Sequence, residues 1–436
     1  MQDTQRFWDT ISTKQKRIAN TAKKYAGQSL TNVSHYIDAE WIYRAYEMTR
    51  KDGAAGIDGA TATEYEAVLW GWLQNLEKLL KSGTYRAPPV KRVYIPKAGS
   101  RTEKRPIGIP TYEDKVLQRA ITMVLEPILE QEFYNFSYGF RPKKSAHQAL
   151  ERIRDEIRGM KGCYIIDMDI SKYFDTIDHK LLRDMLSQRV SDGVITRVIG
   201  KWLHAGVMEE GTCTYQEKGT PQGGVISPLL SNLYLHVVLD EWFVKTVKPY
   251  MRGKAAMVRY ADDAVLLCEC KEDAERIYKV LGKRFAKYGL TIHPEKTRLL
   301  DFTKPKAGQG KGNSSFTFLG FTHYWMKSRK GNWIVGRKTD SKRLHRAINA
   351  INEWCKRNRC LPIRDQWMAL CAKISGHYAY YGLRLNSRSI SEFYLHAIRI
   401  WLKWLNRRGQ KGRRDWSSFG AYLNDWPLPL PHLVHA

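Results

Sequence analysis

Met257-Val258-Arg259-Tyr260-Ala261-Asp262-Asp263-Ala264-Val265-Leu266-Leu267 is the stretch on which the reading of this chain turns. Neighbouring residues on a strand point to opposite faces, so a regular ladder seldom selects two adjacent acids. At a strand-to-strand turn both acids can instead reach a hard divalent cation. Alone, Asp262-Asp263 also fits a solvated hairpin turn. A second acidic strand upstream, Tyr164-Ile165-Ile166-Asp167-Met168-Asp169-Ile170, moves the balance toward metal chemistry. One strand ending in Asp-x-Asp and one turning through Asp-Asp can supply Asp169, Asp262 and Asp263 to a single site. Two magnesium ions held there would acidify an attacking hydroxyl and stabilise a leaving pyrophosphate. The backbone carbonyl of Ile170 is a further oxygen ligand in reach of such a site. On a regular strand, Asp167 would share a face with Asp169 and support it.

Composition narrows the partner. The chain has 436 residues, with 72 Lys and Arg against 44 Asp and Glu, a formal charge of +28. That excess suits a polyanion, and nucleic acid comes first. A membrane surface is the rival, but no run of about 18 apolar residues appears, and no secretory pattern opens the chain. The seven cysteines are scattered, with a C-x-C pair at Cys268 and Cys270 and two more, Cys355 and Cys360, on an expected helix. Without paired CxxC units they read as reduced thiols of a cytosolic protein rather than a zinc or disulfide framework.

Along the chain, residues 1–36 form a polar, Lys-rich arm with an isolated Phe7-Trp8, expected to be helical or partly ordered. A helical pattern from Ala39 to Arg50 runs into the glycine-rich loop Lys51–Gly59, and an amphipathic helix over 64–82 is closed by Gly83. A basic strand follows at 88–97, then Arg105-Pro106-Ile107-Gly108-Ile109-Pro110, a long helix through Leu129 and a helix from Ser145 to Arg158. The acidic strand 163–170, the segment 219–236, the Asp-Asp hairpin and an apolar strand Phe316–Phe321 complete an α+β middle. Beyond about residue 338 the sequence is helical, aromatic and basic: residues 341–436 hold 17 Lys and Arg against 5 Asp and Glu. Basic groups there can neutralise phosphates while aromatic rings stack on bases, although Trp401 and Trp404 read as core.

Taken in order, Asp169-Ile170-Ser171-Lys172-Tyr173-Phe174-Asp175, Gly219-Thr220-Pro221-Gln222-Gly223-Gly224, Tyr260-Ala261-Asp262-Asp263 and Phe318-Leu319-Gly320-Phe321 resemble a reverse transcriptase palm. More narrowly, the chain resembles bacterial group II intron reverse transcriptase/maturases. Arg105–Thr111, Ser137-Tyr138-Gly139-Phe140-Arg141-Pro142 and Trp426-Pro427-Leu428-Pro429 carry that narrower likeness. It covers roughly residues 40–436.

The resemblance implies a right-hand polymerase of α+β class: fingers and an antiparallel palm sheet with helices, then an all-helical thumb. Its expected divisions are a basic arm at 1–36, fingers with an N-terminal extension at 37–160, a palm at 161–337 and a thumb or maturase domain at 338–436. It implies RNA-directed DNA polymerase activity. Asp169, Ile170, Asp262 and Asp263 would hold two Mg²⁺, with Mn²⁺ as an alternative, the three aspartates being catalytic. Lys97, Arg105, Ile170, Phe174, Gln222 and Lys296 would contact the dNTP, Phe174 excluding a ribose 2′-hydroxyl and Lys296 standing where pyrophosphate could take a proton. Phe318, Leu319, Gly320 and Phe321 would grip the primer. Arg407, Arg408, Lys411, Arg413 and Arg414 would contact RNA. The implied partners are an RNA template, a DNA or RNA primer, dNTPs and group II intron RNA whose splicing and mobility the protein assists, in the bacterial cytoplasm and with no membrane. Ending at Ala436, the sequence leaves no room for the His-Asn-His endonuclease of some relatives, so target-strand cleavage is not expected. Two other roles stay open: a domesticated relative in host defence or repair, and an RNA-binding splicing cofactor with no need of polymerisation.

Overall fold

The acidic strand and the Asp-Asp hairpin are neighbours in one four-stranded sheet, ordered Arg298–Asp301, Tyr164–Met168, Asp263–Cys268, Ala255–Tyr260. Tyr164 pairs with Cys268 and Met168 with Ala264 in antiparallel register, and the hairpin closes from Ala255–Cys268 to Tyr260–Asp263. Ile165, Ile166, Val265, Leu266 and Leu267 are wholly buried, as expected of short continuous apolar runs in a core. Helix Lys271–Ala286 packs on this sheet through Ala274, Ile277, Leu281 and Phe285. In this computed structural model the described residues are 2–96, 103–215, 217–220, 223–306, 314–409 and 414–435, with side chains from Thr10 onward; Phe7-Trp8 therefore lies outside the described side chains.

One expectation about the acidic strand is overturned. The ladder stops at Met168, and Ile170–Ser171 pairs instead with Thr291–Ile292. Asp167 and Asp169 thus do not share one regular face. Asp167 is bound by Arg298 and Asp169 by Lys296, each at 3.0 Å.

A second sheet is ordered Lys104–Ile109, Val90–Pro96, Val207–Glu209, Thr212–Thr214. Its first pair is the antiparallel basic hairpin, with Ile95 opposite Arg105. Thr111 caps the following helix, Tyr112–Leu129, by accepting from Asp114 N. That helix is the centre of a large core and receives two others. Ala39–Met48 packs on it through Trp41, whose indole donates to Ala120 O at 2.9 Å. The arm is ordered onto the same support: helix Gln2–Lys24 buries Ile11, Ile18 and Ala22 against it. The helix read over 64–82 is two, Ala62–Glu66 and Leu69–Ser82, the second closed by Gly83 at φ 75°.

The chain forms two compact units, Met1–Glu156 with Cys163–Leu300, and Ile157–Gly162 with Asp301–Ala436. The second unit holds a three-stranded sheet, Phe316–Phe318, Phe321–Lys327 and Trp333–Thr339. Phe316–Phe321 is therefore not one strand. Leu319 and Gly320 take φ of 49° and 78° and reverse the chain, the two positive angles that suit a tight hairpin. Helices Ser341–Arg357, Ile363–Tyr381, Ser387–Leu405 and Trp416–Asp425 follow and enclose Ile374, Tyr378, Phe393 and Trp401. Trp401 and Trp404 are core residues, as expected. All seven cysteines are free, and no helix among the described residues is long and apolar enough to cross a membrane.

Candidate active site

The hairpin that carries the two aspartates is held from behind. Its two-residue loop, Ala261-Asp262, puts the non-glycine Ala261 at φ 56°, a region costly for residues with a Cβ. Arg259, fully buried, donates to Ala261 O at 3.0 Å and to Asn232 Oδ1 at 2.9 Å. Its other edge forms a two-pronged ion pair with the equally buried Asp240, at 2.8 and 2.5 Å. On the outer edge Tyr138 N donates to Arg259 O and Arg259 N to Phe136 O. Gly139 then sits so close to Tyr260 and Ala261 that a Cβ there would collide with their backbone. Asn232 Nδ2 fixes Gly139 O at 2.7 Å.

Asp169 is placed by the strand break. Its carbonyl accepts from His293 N at 2.8 Å, and Lys296 Nζ reaches its Oδ2. The ladder ends at the Met168–Ala264 pair, one residue short of Asp169 on one strand and of the solvent-exposed Asp263 on the other. Asp169 and Asp262 line one cavity of about 670 Å³ together with Arg105, Ile170, Phe174, Asp175, His293 and Lys296. Tyr173 beneath is buried and donates to Ser231 O at 2.7 Å, which fixes the adjoining half-buried Phe174. Behind Phe174, Thr220 N donates to its carbonyl at 2.8 Å, and Gly219 packs at φ 94° on the backbone of Phe174 and Asp175. Burial raises the Asp262 carboxyl above its ordinary value and the charge of Asp169 raises it further, while its own backbone hydrogen bond, Arg105 and Arg259 oppose.

The other expected site residues fall elsewhere. Lys97, Gln222, Lys411 and Arg413 lie outside the described residues. Phe318–Phe321 forms the hairpin turn of the second unit, where Tyr380 OH donates to Leu319 O. Arg407 lies over the Trp404 ring and Arg414 over the Tyr422 ring, while Arg408 is exposed.

A family model described as reverse transcriptase (RNA-dependent DNA polymerase) matches residues 95–323, a span containing every residue of this cavity. The chain belongs to the reverse transcriptase family. Protein YkfC of Escherichia coli (strain K12) is 33% identical over 361 residues, 74% of this chain and 91% of that protein. The group II intron-encoded protein LtrA of Lactococcus lactis subsp. cremoris is 32% identical over 285 residues, 65% of this chain and 47% of that protein. This chain thus spans about half of LtrA. Nuclear intron maturase 2, mitochondrial, of Arabidopsis thaliana is 27% identical over 231 residues, 44% of this chain and 30% of that protein.

Reverse transcriptase membership implies a divalent metal. Among the described residues no three acidic, His or Cys side chains close into a ready-made cluster. The donors nonetheless suit a hard cation: Asp169 and Asp262 face one cavity, Asp263 follows Asp262 at the hairpin turn, and the charge of Asp169 raises the proton affinity of Asp262. What sequence reasoning missed in this reverse transcriptase is the support. Arg259 is a lone cation in an apolar strand, and Asp240 is one of two adjacent acids, with Glu241, in the otherwise largely apolar run 229–243. Such opposite charges in buried elements are the signal that could have paired them.

Proposed function

We propose that this reverse transcriptase extends a DNA or RNA primer on an RNA template at the Asp169–Asp262–Asp263 site. The observation that supports this reading most is the convergence of Arg105, Asp169, Phe174, Asp262 and Lys296 on one cavity. The primer 3′-hydroxyl attacks the α-phosphate of a dNTP in line, and pyrophosphate leaves. The three carboxylates and the Ile170 carbonyl would hold divalent cations, whose chemistry when bound is Lewis-acid activation and charge neutralisation. Arg105 brings a fixed cation to the triphosphate. Lys296, 3.0 Å from Asp169, keeps an ammonium at the cavity wall from which a proton can pass to pyrophosphate. Phe174 presents a ring where the sugar of the incoming nucleotide would lie, so it disfavours a 2′-hydroxyl. Phe318–Phe321 serves as primer grip, with Lys97 and Gln222 as further nucleotide contacts. Replacement of Phe174 by Val tests the site directly. Ribonucleotide incorporation should rise by at least about tenfold relative to dNTPs, a difference of about 1.4 kcal/mol in the transition state. Unchanged discrimination would remove Phe174 from this role.

We infer that its biological RNA is a group II intron, whose splicing and mobility it assists. The likeness to LtrA, an intron-encoded protein, supports this, as does the basic surface that includes Arg407, Arg408 and Arg414. A precursor RNA built from the sequence that flanks this reading frame should contain a group II intron and splice faster with the protein than without it. No acceleration on any flanking RNA would leave polymerisation as the whole function.

A further inference from the structure

Phe140 is a bulky side chain held at φ 55° with 56% of its surface exposed. A positive φ is an outlier for such a residue, and packing does not offset it here. Both neighbours force the conformation. Gly139 is wedged against the backbone of Tyr260 and Ala261 and tied by Asn232. Arg141 is buried and bound on all sides: two bonds to Glu130 at 2.9 Å, and others to Ser137 O at 2.8 Å and Tyr134 O at 2.6 Å. Between these anchors the ring can only project outward, one residue from the catalytic hairpin. Lys143, three residues on, is also exposed and also left-handed, at φ 60°.

We propose that Phe140 is a contact residue for the template–primer hybrid: its ring packs on a base or sugar beside the reacting end, and Lys143 meets a neighbouring phosphate. The inference rests on reading Tyr260–Asp263 as the polymerase turn, because Gly139 fixes the ring next to it. An aromatic face accepts any base, which suits an enzyme that copies RNA without regard to sequence. Asn or Gly would adopt this φ with less strain, so the strained phenylalanine is the costlier choice for the free protein.

That opposition sets the test. Hybrid affinity is measured by fluorescence anisotropy with an RNA template annealed to a labelled DNA primer, for wild type, Phe140→Asn, Phe140→Trp and Asp262→Asn. Melting is followed in parallel. Phe140→Asn should melt at or above the wild-type temperature yet bind the hybrid about tenfold more weakly, within the range for one stacked base. Phe140→Trp should keep wild-type affinity. Wild-type affinity in Phe140→Asn overturns the proposal, and so does a lowered melting temperature, which would make the ring a packing residue. Asp262→Asn should bind the hybrid normally and fail to extend it. Extension by Asp262→Asn would remove the catalytic reading, and the placement of Phe140 with it.

Discussion

Arg259 and Asp240 carry the heaviest burden of any single residues near the site. Both are fully buried, and the guanidinium spans Asp240, Asn232 and the Ala261 carbonyl. Breaking a buried pair by removing one partner leaves an uncompensated charge, at a cost of about 3–5 kcal/mol. Arg259→Met should therefore lose about that much stability in urea unfolding. Replacing both residues by apolar ones, Arg259→Met with Asp240→Leu, should recover most of it. Polymerisation should stay depressed in the double variant, because Ala261 O has lost its donor and the strained turn its clamp. Recovery of activity along with stability would reduce the pair to packing. At this scale the three candidate acids, Asp169, Asp262 and Asp263, stood out in the sequence because each stands against an apolar run. The partners of Asp167 and Asp169 were not: they depend on a strand break at Asp169 that alternation alone does not announce.

Helices are joined by buried polar side chains, and two of these joints make predictions. Asp114, on helix Tyr112–Leu129, accepts at one oxygen from Tyr85 OH and from Trp202 Nε1, both at 2.6 Å. Burial pushes its carboxyl up to about 6 despite those donors. An unfolded aspartate titrates near 4, so between these values the folded chain binds more protons. This group's contribution to stability therefore falls as pH rises from about 4 to 6, by up to about 3 kcal/mol. Asp114→Asn keeps an oxygen for both donors and should flatten that part of the urea-midpoint profile relative to wild type. An unchanged difference between pH 4 and 6 would contradict the assignment. In the second unit, Asn386 accepts from Thr339 N at 2.8 Å and donates to Thr339 Oγ1 and Tyr381 O. Asn386→Leu strands those groups and should cost about 2–3 kcal/mol, read from the melting of this variant. Element type was largely readable from periodicity and glycine stops. The turn inside Phe316–Phe321 was hidden because Leu319 takes an angle that only Gly320 advertised.

The charge of the whole molecule sets how it holds RNA. With a formal +28, affinity for a template should rest largely on released counterions. If six or more phosphates are neutralised, binding falls by about a thousandfold between 50 and 200 mM salt. A nearly flat salt dependence in anisotropy titrations would argue instead for stacking alone. The basic surplus and the order of motifs made a nucleic-acid polymerase legible from sequence. The boundary between the compact units was less so, since the strands over 316–339 cluster with the helices after them rather than with the strands before them. The most direct measurement is extension of a DNA primer on an RNA template, with Mg²⁺ and dNTPs, by wild type and by Asp262→Ala/Asp263→Ala. Wild type should extend the primer, and the double variant should fall below about one-thousandth of that rate while binding the hybrid normally. Equal extension by both, or none by either with the hybrid bound tightly, would contradict the account.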